Sequence, residues 1–417
     1  MINFYRIIIN LVFLLSPIII IFRIFKKKED INRFKEKFCF FSKKRVKGKI
    51  LWFHGASVGE LQSIVPLLEK LEKNKKIKQI LITSNTLSSS KIIQKLKLKK
   101  ITHQFFPIDT SFHTKKFLKY WKPSSAFFID SEIWPNMFFN LKKNNIPISL
   151  INGRITKKSF SRWKIFPNFS KEVFSKFDLC TSASRESKNF LKKLGAKNVK
   201  LIGNLKFSQS ENERHIINKK LKKIFFSKKI WCASSTHFTE ENFCGLIHKE
   251  LKKKYKNLLT IIIPRHVERV DSIINDLSRL NLKIHTFSSG NNINADTDIY
   301  IVDTYGKTKS FYNLCKNVFL GGSLVNHGGQ NPLEATRYGC NIIHGPSVSN
   351  FREIYQFLKK NKISQRINTQ NQMIKSLIKL FSKKSNSKII QKKLSLIGQK
   401  ILENTYKEVR LVSKNDI

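Results

Sequence analysis

From about residue 49 the chain alternates short apolar runs with lysine-rich amphipathic stretches. The runs at 50–53 (ILWF), 79–83 (QILIT), 126–129 (AFFI), 148–151 (ISLI), 179–180 and 200–202 read as strands, separated by lengths that suit helices. Around residues 208–229 the chain turns polar and charged. The rhythm then restarts at 230–233, 258–263 (LLTIII), 298–302, 318–320 and 341–343. Unbroken apolar runs are what strands show when a parallel sheet is covered on both faces. The pattern predicts two consecutive α/β domains, 49–207 and 230–417, joined by a linker at 208–229, with ligands expected where strand ends face an interdomain cleft.

Ahead of them lies 7–22 (IIINLVFLLSPIIIIF), sixteen residues without a charge, bounded by Arg6 and Arg23 and followed by Lys26, Lys27 and Lys28. As a helix it covers roughly 24 Å, a little short of a bilayer core, and the flanking arginines can reach the headgroups. Residues 1–25 therefore read as a membrane anchor and 26–48 as a basic linker, with spanning and one-leaflet insertion both open. No small-residue cleavage site follows the run, and the basic cluster behind it favours a cytoplasmic body.

Charge sharpens the membrane reading. With 79 Lys+Arg against 28 Asp+Glu the formal net charge is +51. Abundant Lys, Ile, Asn and Phe is the composition expected of an AT-rich genome, which accounts for part of the excess. The remainder predicts attraction to anionic lipid, to phosphorylated substrates or to nucleic acid. A nucleic-acid-binding protein needs no more than this, but no recognisable binding module is present and the apolar N-terminus stays unexplained. The six cysteines are scattered, the closest pair twelve residues apart, so neither a zinc spacing nor a C-x-x-C exists and buried free thiols are expected.

Candidate chemistry follows the strands. Residues 55–59 (GASVG) fit the G-x-S-x-G elbow, which offers Ser57 as a hydrolase nucleophile, but only the anchor and linker precede it, where an oxyanion-hole strand belongs. The next residue, Glu60, falls in the first turn of a helix beginning near Val58. It is either a partner of the helix dipole or a general base at the mouth of the sheet. Asp130 and Glu132 follow the 126–129 run, and Lys206 closes the first domain within 203–207 (GNLKF). In the second half, Pro264 and Arg265 end a strand where a phosphate-bearing ligand belongs. Residues 321–334 (GGSLVNHGGQNPLE) bring two glycine pairs before a helix start, with Asn331 as N-cap, Pro332 at N1 and Glu334 at N3. Glycines admit a phosphate to the backbone, and Glu334 can accept from ribose hydroxyls, so a nucleotide is implied. The spacing is neither that of a P-loop nor of a dinucleotide fingerprint.

Taken in order, 53–60 (FHGASVGE), 130–136 (DSEIWPN), 152–154 (NGR), 203–207 (GNLKF), 235–237 (STH), 264–266 (PRH), 303–306 (DTYG) and 321–334 resemble the 3-deoxy-D-manno-octulosonic acid (Kdo) transferases of lipopolysaccharide synthesis, glycosyltransferase family 30. The resemblance implies a GT-B fold, two Rossmann-like domains facing a cleft behind an N-terminal membrane-anchor helix. It implies an inverting transfer of Kdo from CMP-Kdo to the 6'-hydroxyl of a tetraacylated, phosphorylated lipid A precursor (lipid IVA), without metal or cofactor, at the cytoplasmic face of the inner membrane. Carried over by position, Glu60 is the general base, and Asp130 and Lys206 stabilise the transition state. CMP is held by Pro264, Arg265, Tyr305, Gly306, Lys307, Asn331, Pro332, Leu333 and Glu334. Partners are then the donor, the lipid acceptor and an anionic membrane surface, with no specific nucleic acid. Two positions depart from the family pattern: Asp130 stands where a glutamate is usual, and Lys307 reverses the charge of a usual glutamate.

Overall fold

The computed structural model describes residues 1–209, 218–290, 293–383 and 386–413. The chain divides into two units, Met1–Gln209 with Ile397–Ile417, and Ser210–Leu396.

The first unit holds a parallel seven-stranded sheet: β1 (Lys49–His54), β2 (Ile77–Ser84), β3 (Ile101–Phe105), β4 (Ser125–Ile129), β5 (Ile148–Gly153), β6 (Leu179–Ser182) and β7 (Val199–Leu201). Their order across the sheet is β3-β2-β1-β4-β5-β6-β7. Strands β4 and β5 are buried at every position, which is why the sequence shows runs rather than alternation. Trp52, Phe117, Trp121, Phe128 and Phe138 pack in the core against them. Helices on this sheet start at Ser57, Thr86, Thr110, Thr156 and Ser184, each of whose side chains accepts from the backbone N–H three residues on.

The second unit repeats the plan with β8 (Lys229–Thr236), β9 (Leu258–Pro264), β10 (Ile284–Thr286), β11 (Ile299–Ile301), β12 (Asn317–Leu320), β13 (Asn341–His344) and β14 (Ser364–Arg366). They are ordered β10-β11-β9-β8-β12-β13-β14. In each sheet the strand order reverses once, between β1 and β4 and between β8 and β12. Ligands of doubly wound sheets bind outside the carboxyl ends of the strands at such a reversal.

The final segment corrects the domain expectation. Helix Ser387–Val412 ends in the first unit, whereas residues 230–417 were read as one domain. Its Ile401, Thr405 and Val409, four apart on one face, are buried. Ile401 closes over Gly203, where an added Cβ meets its Cδ1 at 2.9 Å, and Gly398 lies so near Phe207 that a Cβ there meets the carbonyl oxygen at 2.3 Å. The linker assigned to 208–229 also contains the helix Lys219–Phe226, whose Phe225 is buried against Tyr300 in the second unit. Residues 210–217 of that linker lie outside the described residues.

The apolar N-terminus is helix Ile2–Phe25, longer at both ends than the uncharged run, and long and apolar enough to cross a membrane by length and composition. One stripe of it packs on the first unit. The Tyr5 hydroxyl donates to Asp109 Oδ2 at 2.8 Å, Arg6 Nε donates to Asn136 Oδ1 at 3.1 Å, and Phe13 lies 4.9 Å from the His113 ring. Ser16 and Ile20 continue the stripe, while Ile7, Leu11, Leu14, Leu15, Ile18 and Phe22 face outward. Asp109 ties this helix to helix Pro135–Lys143, since it also accepts from the Asn136 and Met137 backbone at 3.1 and 2.9 Å.

Candidate active site

At the reversal of the first sheet, β1 runs into the glycine turn and helix Val58–Glu72. Glu60 is the third residue of that helix and forms a capping box with Ser57. Its Oε2 accepts from the Ala56 and Ser57 N–H groups at 2.7 and 3.3 Å, while Ser57 Oγ accepts from Glu60 N–H at 3.4 Å. The Ser57 hydroxyl is thus an N-cap, and no hydrogen bond to a histidine is made by it among the described residues. Burial pushes the Glu60 carboxyl up to about 7, and the charges of Glu132 and Asp130 push it the same way against the pull of the Ser57 contacts.

Asp130 and Glu132 come from the turn after β4. Asp130 is buried in the left-handed region at φ 56, unusual for a residue with a Cβ. Burial raises its carboxyl above the ordinary range, and Lys206, Asn152 and Arg154 pull it back. Lys206 sits in the short helix Leu205–Ser208, whose start is fixed by Asn204 Oδ1 accepting from Lys206 N–H at 2.9 Å. Glu60, Asp130 and Lys206, separated by 146 residues of sequence from first to last, therefore act on one another at a single corner of the unit.

Asn152 brings this corner together, a role its sequence neighbourhood did not reveal. It lies at the end of β5 with φ 57, is buried, donates from Nδ2 to Asp130 Oδ1, and accepts at Oδ1 from Leu205 N–H at 2.8 Å. One amide thus holds both the carboxylate and the turn that carries Lys206. The signal available was the turn-prone Asn-Gly pair, but both of its side-chain partners are distant in the chain.

At the reversal of the second sheet, β8 ends in Thr236 and β12 leads into Gly321 and Gly322. A Cβ on Gly321 meets Ser235 O at 2.4 Å, so only glycine lets this loop pass the end of β8. Glu240, in the first turn of helix Glu240–Lys254, was missed by sequence reasoning and organises the loop. Its Oε2 accepts from His237 and Gly322 N–H at 2.9 and 2.7 Å, and its Oε1 from Ser323 and Leu324 N–H at 3.1 and 3.0 Å. Burial pushes this carboxyl up, and the four amides oppose the shift.

Histidines and arginines gather around this loop. The His237 ring lies 4.2 Å from His327 and 6.0 Å from His266. Burial, followed by the charges of His327, His266, Arg265 and Arg269, lowers His237 to about 4. Pro264 ends β9, and Arg265 after it is exposed. Tyr305 is exposed and donates to Glu268 at 2.9 Å, Gly306 has open space around it, and Lys307 lies 5.8 Å from the Phe287 ring. The helix expected from Asn331 starts one residue later than read, as Leu333–Arg337, with Pro332 before it. Asn331 Oδ1 still accepts from Leu333 N–H at 3.2 Å. Glu334 faces Lys309 at 4.0 Å.

Known proteins resemble this chain over most of its length. A family model described as 3-deoxy-D-manno-octulosonic-acid transferase (kdotransferase) matches residues 32–209. A 3-deoxy-D-manno-octulosonic acid transferase of Rickettsia bellii is 35% identical over 374 residues, 88% of this chain and 88% of that protein. The enzyme of the same name from Haemophilus influenzae is 27% identical over 357 residues, 84% of this chain and 83% of its own. Among solved structures, a glycosyltransferase from Rickettsia africae matches at a TM-score of 0.58 with 11% identity, covering 89% of this chain and all (100%) of that one. The UDP-GlcNAc 2-epimerase of Neisseria meningitidis matches at 0.57 with 13% identity, covering 87% and 99%. These last two likenesses are of fold alone, and the fold is GT-B.

Proposed function

The chain belongs to the 3-deoxy-D-manno-octulosonic acid transferases, and we propose that this Kdo glycosyltransferase takes the sugar from CMP-Kdo and passes it, with inversion, to a hydroxyl of the lipid A precursor lipid IVA. The observation that carries the reading is the corner where a partly buried Glu60, its proton affinity raised to about 7, meets Asp130, which is itself under the charge of Lys206.

A base of that strength matches the task of removing a hydroxyl proton near neutral pH. Glu60 takes the proton of the acceptor hydroxyl, and its Oε1 has no hydrogen bond among the described residues. The freed oxygen attacks the anomeric carbon of Kdo, the bond from that carbon to the phosphate oxygen breaks, and CMP leaves with the electron pair. Asp130 and Lys206 meet the charge that develops on the sugar in the transition state. On the second unit, Arg265 and the histidines around the glycine loop suit the phosphate of the leaving CMP. Pro264, Tyr305, Gly306, Lys307, Asn331, Pro332, Leu333 and Glu334 complete the nucleotide's surroundings. At Lys307, contacts through the backbone survive the charge reversal.

Helix Ile2–Phe25 is bonded to the first unit near its start and packed on it as far as Ile20, with its other face apolar and outward. That geometry favours a helix lying in the cytoplasmic leaflet of the inner membrane over one crossing it, and the net charge of +51 favours an anionic surface.

The test is incubation of membranes containing the protein with lipid IVA and a CMP-Kdo generating system, with product masses measured. The native chain is expected to add Kdo, and Glu60→Gln to lose nearly all transfer while still binding CMP. Full turnover by that variant sinks the assignment of the base.

A further inference from the structure

Residues 157–166 (KKSFSRWKIF) carry a pattern that the packing of the first unit does not require. Helix Lys157–Lys164 has no buried residue, and only one face of it is held. Phe160 stacks on Phe190 with ring centroids 4.4 Å apart, and Trp163 lies edge-on to Phe174 at 5.2 Å. Past the end of this helix, Ile165 and Phe166 are 68% and 49% exposed. Phe166 is also the N-cap of helix Pro167–Phe174 and makes no side-chain cap, where five other helices of this unit begin at a capping serine or threonine. A large apolar side chain kept outward at a position that calls for a polar one points to a use outside the fold.

The charges point the same way. From Arg154 to Phe166 there are five basic residues and no acidic one. Lys157 and Lys158 stand in the first turn of their helix, where positive charge opposes the dipole, and no acidic residue there offsets them. Neither these two nor Arg162 and Lys164 make a salt bridge among the described residues. Basic residues around a tryptophan, followed by exposed apolar side chains, are what a segment lying at an anionic membrane surface carries.

The place of the segment selects lipid as the occupant. Tyr5, near the start of helix Ile2–Phe25, has its ring 6.1 Å from Phe169, and Phe169 lies 6.2 Å from Trp163. One phenylalanine ring therefore joins the apolar N-terminal helix to this segment. In the other direction the segment leads back to the catalytic corner. Arg154 N–H donates to Asp130 O at 2.9 Å, and the chain from there to Lys157 spans at most about 11 Å.

We propose that residues 157–166 are a second membrane contact, in which Ile165 and Phe166 enter the acyl boundary of an anionic leaflet while Lys157, Lys158, Arg162 and Lys164 meet its phosphates. The inference rests on the reading of helix Ile2–Phe25 as lying in that leaflet. With two contacts the unit cannot roll about the axis of the anchor helix, so the Asp130 corner is held toward the surface from which a lipid-borne hydroxyl comes.

The experiment attaches one environment-sensitive fluorophore to full-length protein through Ile165→Cys, Phe166→Cys, Leu11→Cys or Lys97→Cys. All six native cysteines are buried, and unsubstituted protein gives the blank. Lys97, exposed ahead of β3, lies at the opposite end of the strands from Glu60 and serves as the reference. Each protein is reconstituted into vesicles of phosphatidylglycerol or of phosphatidylcholine that carry nitroxide-labelled lipid as quencher. In phosphatidylglycerol the labels at Ile165→Cys and Phe166→Cys are expected to be quenched about half as strongly as that at Leu11→Cys or more, and the Lys97→Cys label not at all. Their quenching is expected to fall about twofold in phosphatidylcholine, and again when salt is raised in phosphatidylglycerol. Replacing Lys157 and Lys158 by Gln in the Ile165→Cys protein lowers it likewise. Quenching on the segment no greater than at Lys97→Cys, beside strong quenching at Leu11→Cys, overturns this inference alone. An unquenched Leu11→Cys label overturns the leaflet reading and this one with it. Segment emission that shifts with protein density but not with the lipid quencher assigns the face to a second copy of the chain, and quenching indifferent to lipid charge and salt removes the role of the phosphates. Either result overturns the proposal.

Discussion

Glu240→Gln isolates what a single buried carboxylate contributes to the glycine loop of the second unit. The replacement has the same size, so no cavity opens, and only the polarity of one oxygen position changes. In the native chain each carboxylate oxygen accepts two backbone N–H groups, His237 and Gly322 on one, Ser323 and Leu324 on the other. Whichever way the glutamine amide is turned, its NH2 faces two donors with nothing to accept them. Each stranded buried amide costs about 1–3 kcal/mol, so the variant loses roughly 2–6 kcal/mol. For a unit of this size each kcal/mol lowers Tm by about 2–4 °C, and a central loss of about 4 kcal/mol gives a fall of about 8–16 °C. Scanning calorimetry reads the transition, and calorimetric titration with CMP reads the loop. Affinity is expected to fall because the amides that Glu240 aligns lie at the reversal point of the sheet. A Tm within about 2 °C of the native value, with CMP binding unchanged, refutes the reasoning.

Asn152→Ala strands the Leu205 N–H and frees Asp130 from its amide partner, so urea unfolding is expected to show a loss of about 2–4 kcal/mol, with kcat falling at least tenfold. Native stability together with native kcat contradicts the bracing role. Thr239, a β-branched residue held at φ 78, sits in a conformation that suits glycine. Thr239→Gly is expected to raise stability by about 0.5–1 kcal/mol in the same urea assay, and a loss rules out strain at this position.

The strands that sequence pattern found are those with apolar runs, and the three it missed explain its limits. β3 lies at one edge of the first sheet, and β10 and β14 form the two edges of the second. β10 (IHT), half-buried, and β14 (SQR), mostly exposed, are three residues each, so they carry too few apolar side chains to stand out. At the site, the positions of Glu60, Asp130 and Lys206 were legible because each follows a recognisable strand. Glu240 and Asn152 were not, because what they do is accept from or donate to groups as many as 84 residues away, and no local spacing encodes that. The start of the helix at Leu333 was misread by one position for a smaller reason. Pro332, not Asn331, is the N-cap, although Asn331 Oδ1 still accepts from Leu333 N–H.

The return of helix Ser387–Val412 to the first unit bears on how the protein is made. The turn that carries Lys206 is backed by Gly398 and Ile401, so the first 209 residues emerge from the ribosome without the piece that covers that turn. All 187 residues from 210 to 396 must be added first. At about 5–20 residues per second this is roughly 10–40 s, during which the surface around Gly203 and Phe207 is bare and open to chaperones or to aggregation. The unit that begins synthesis is therefore the one completed last.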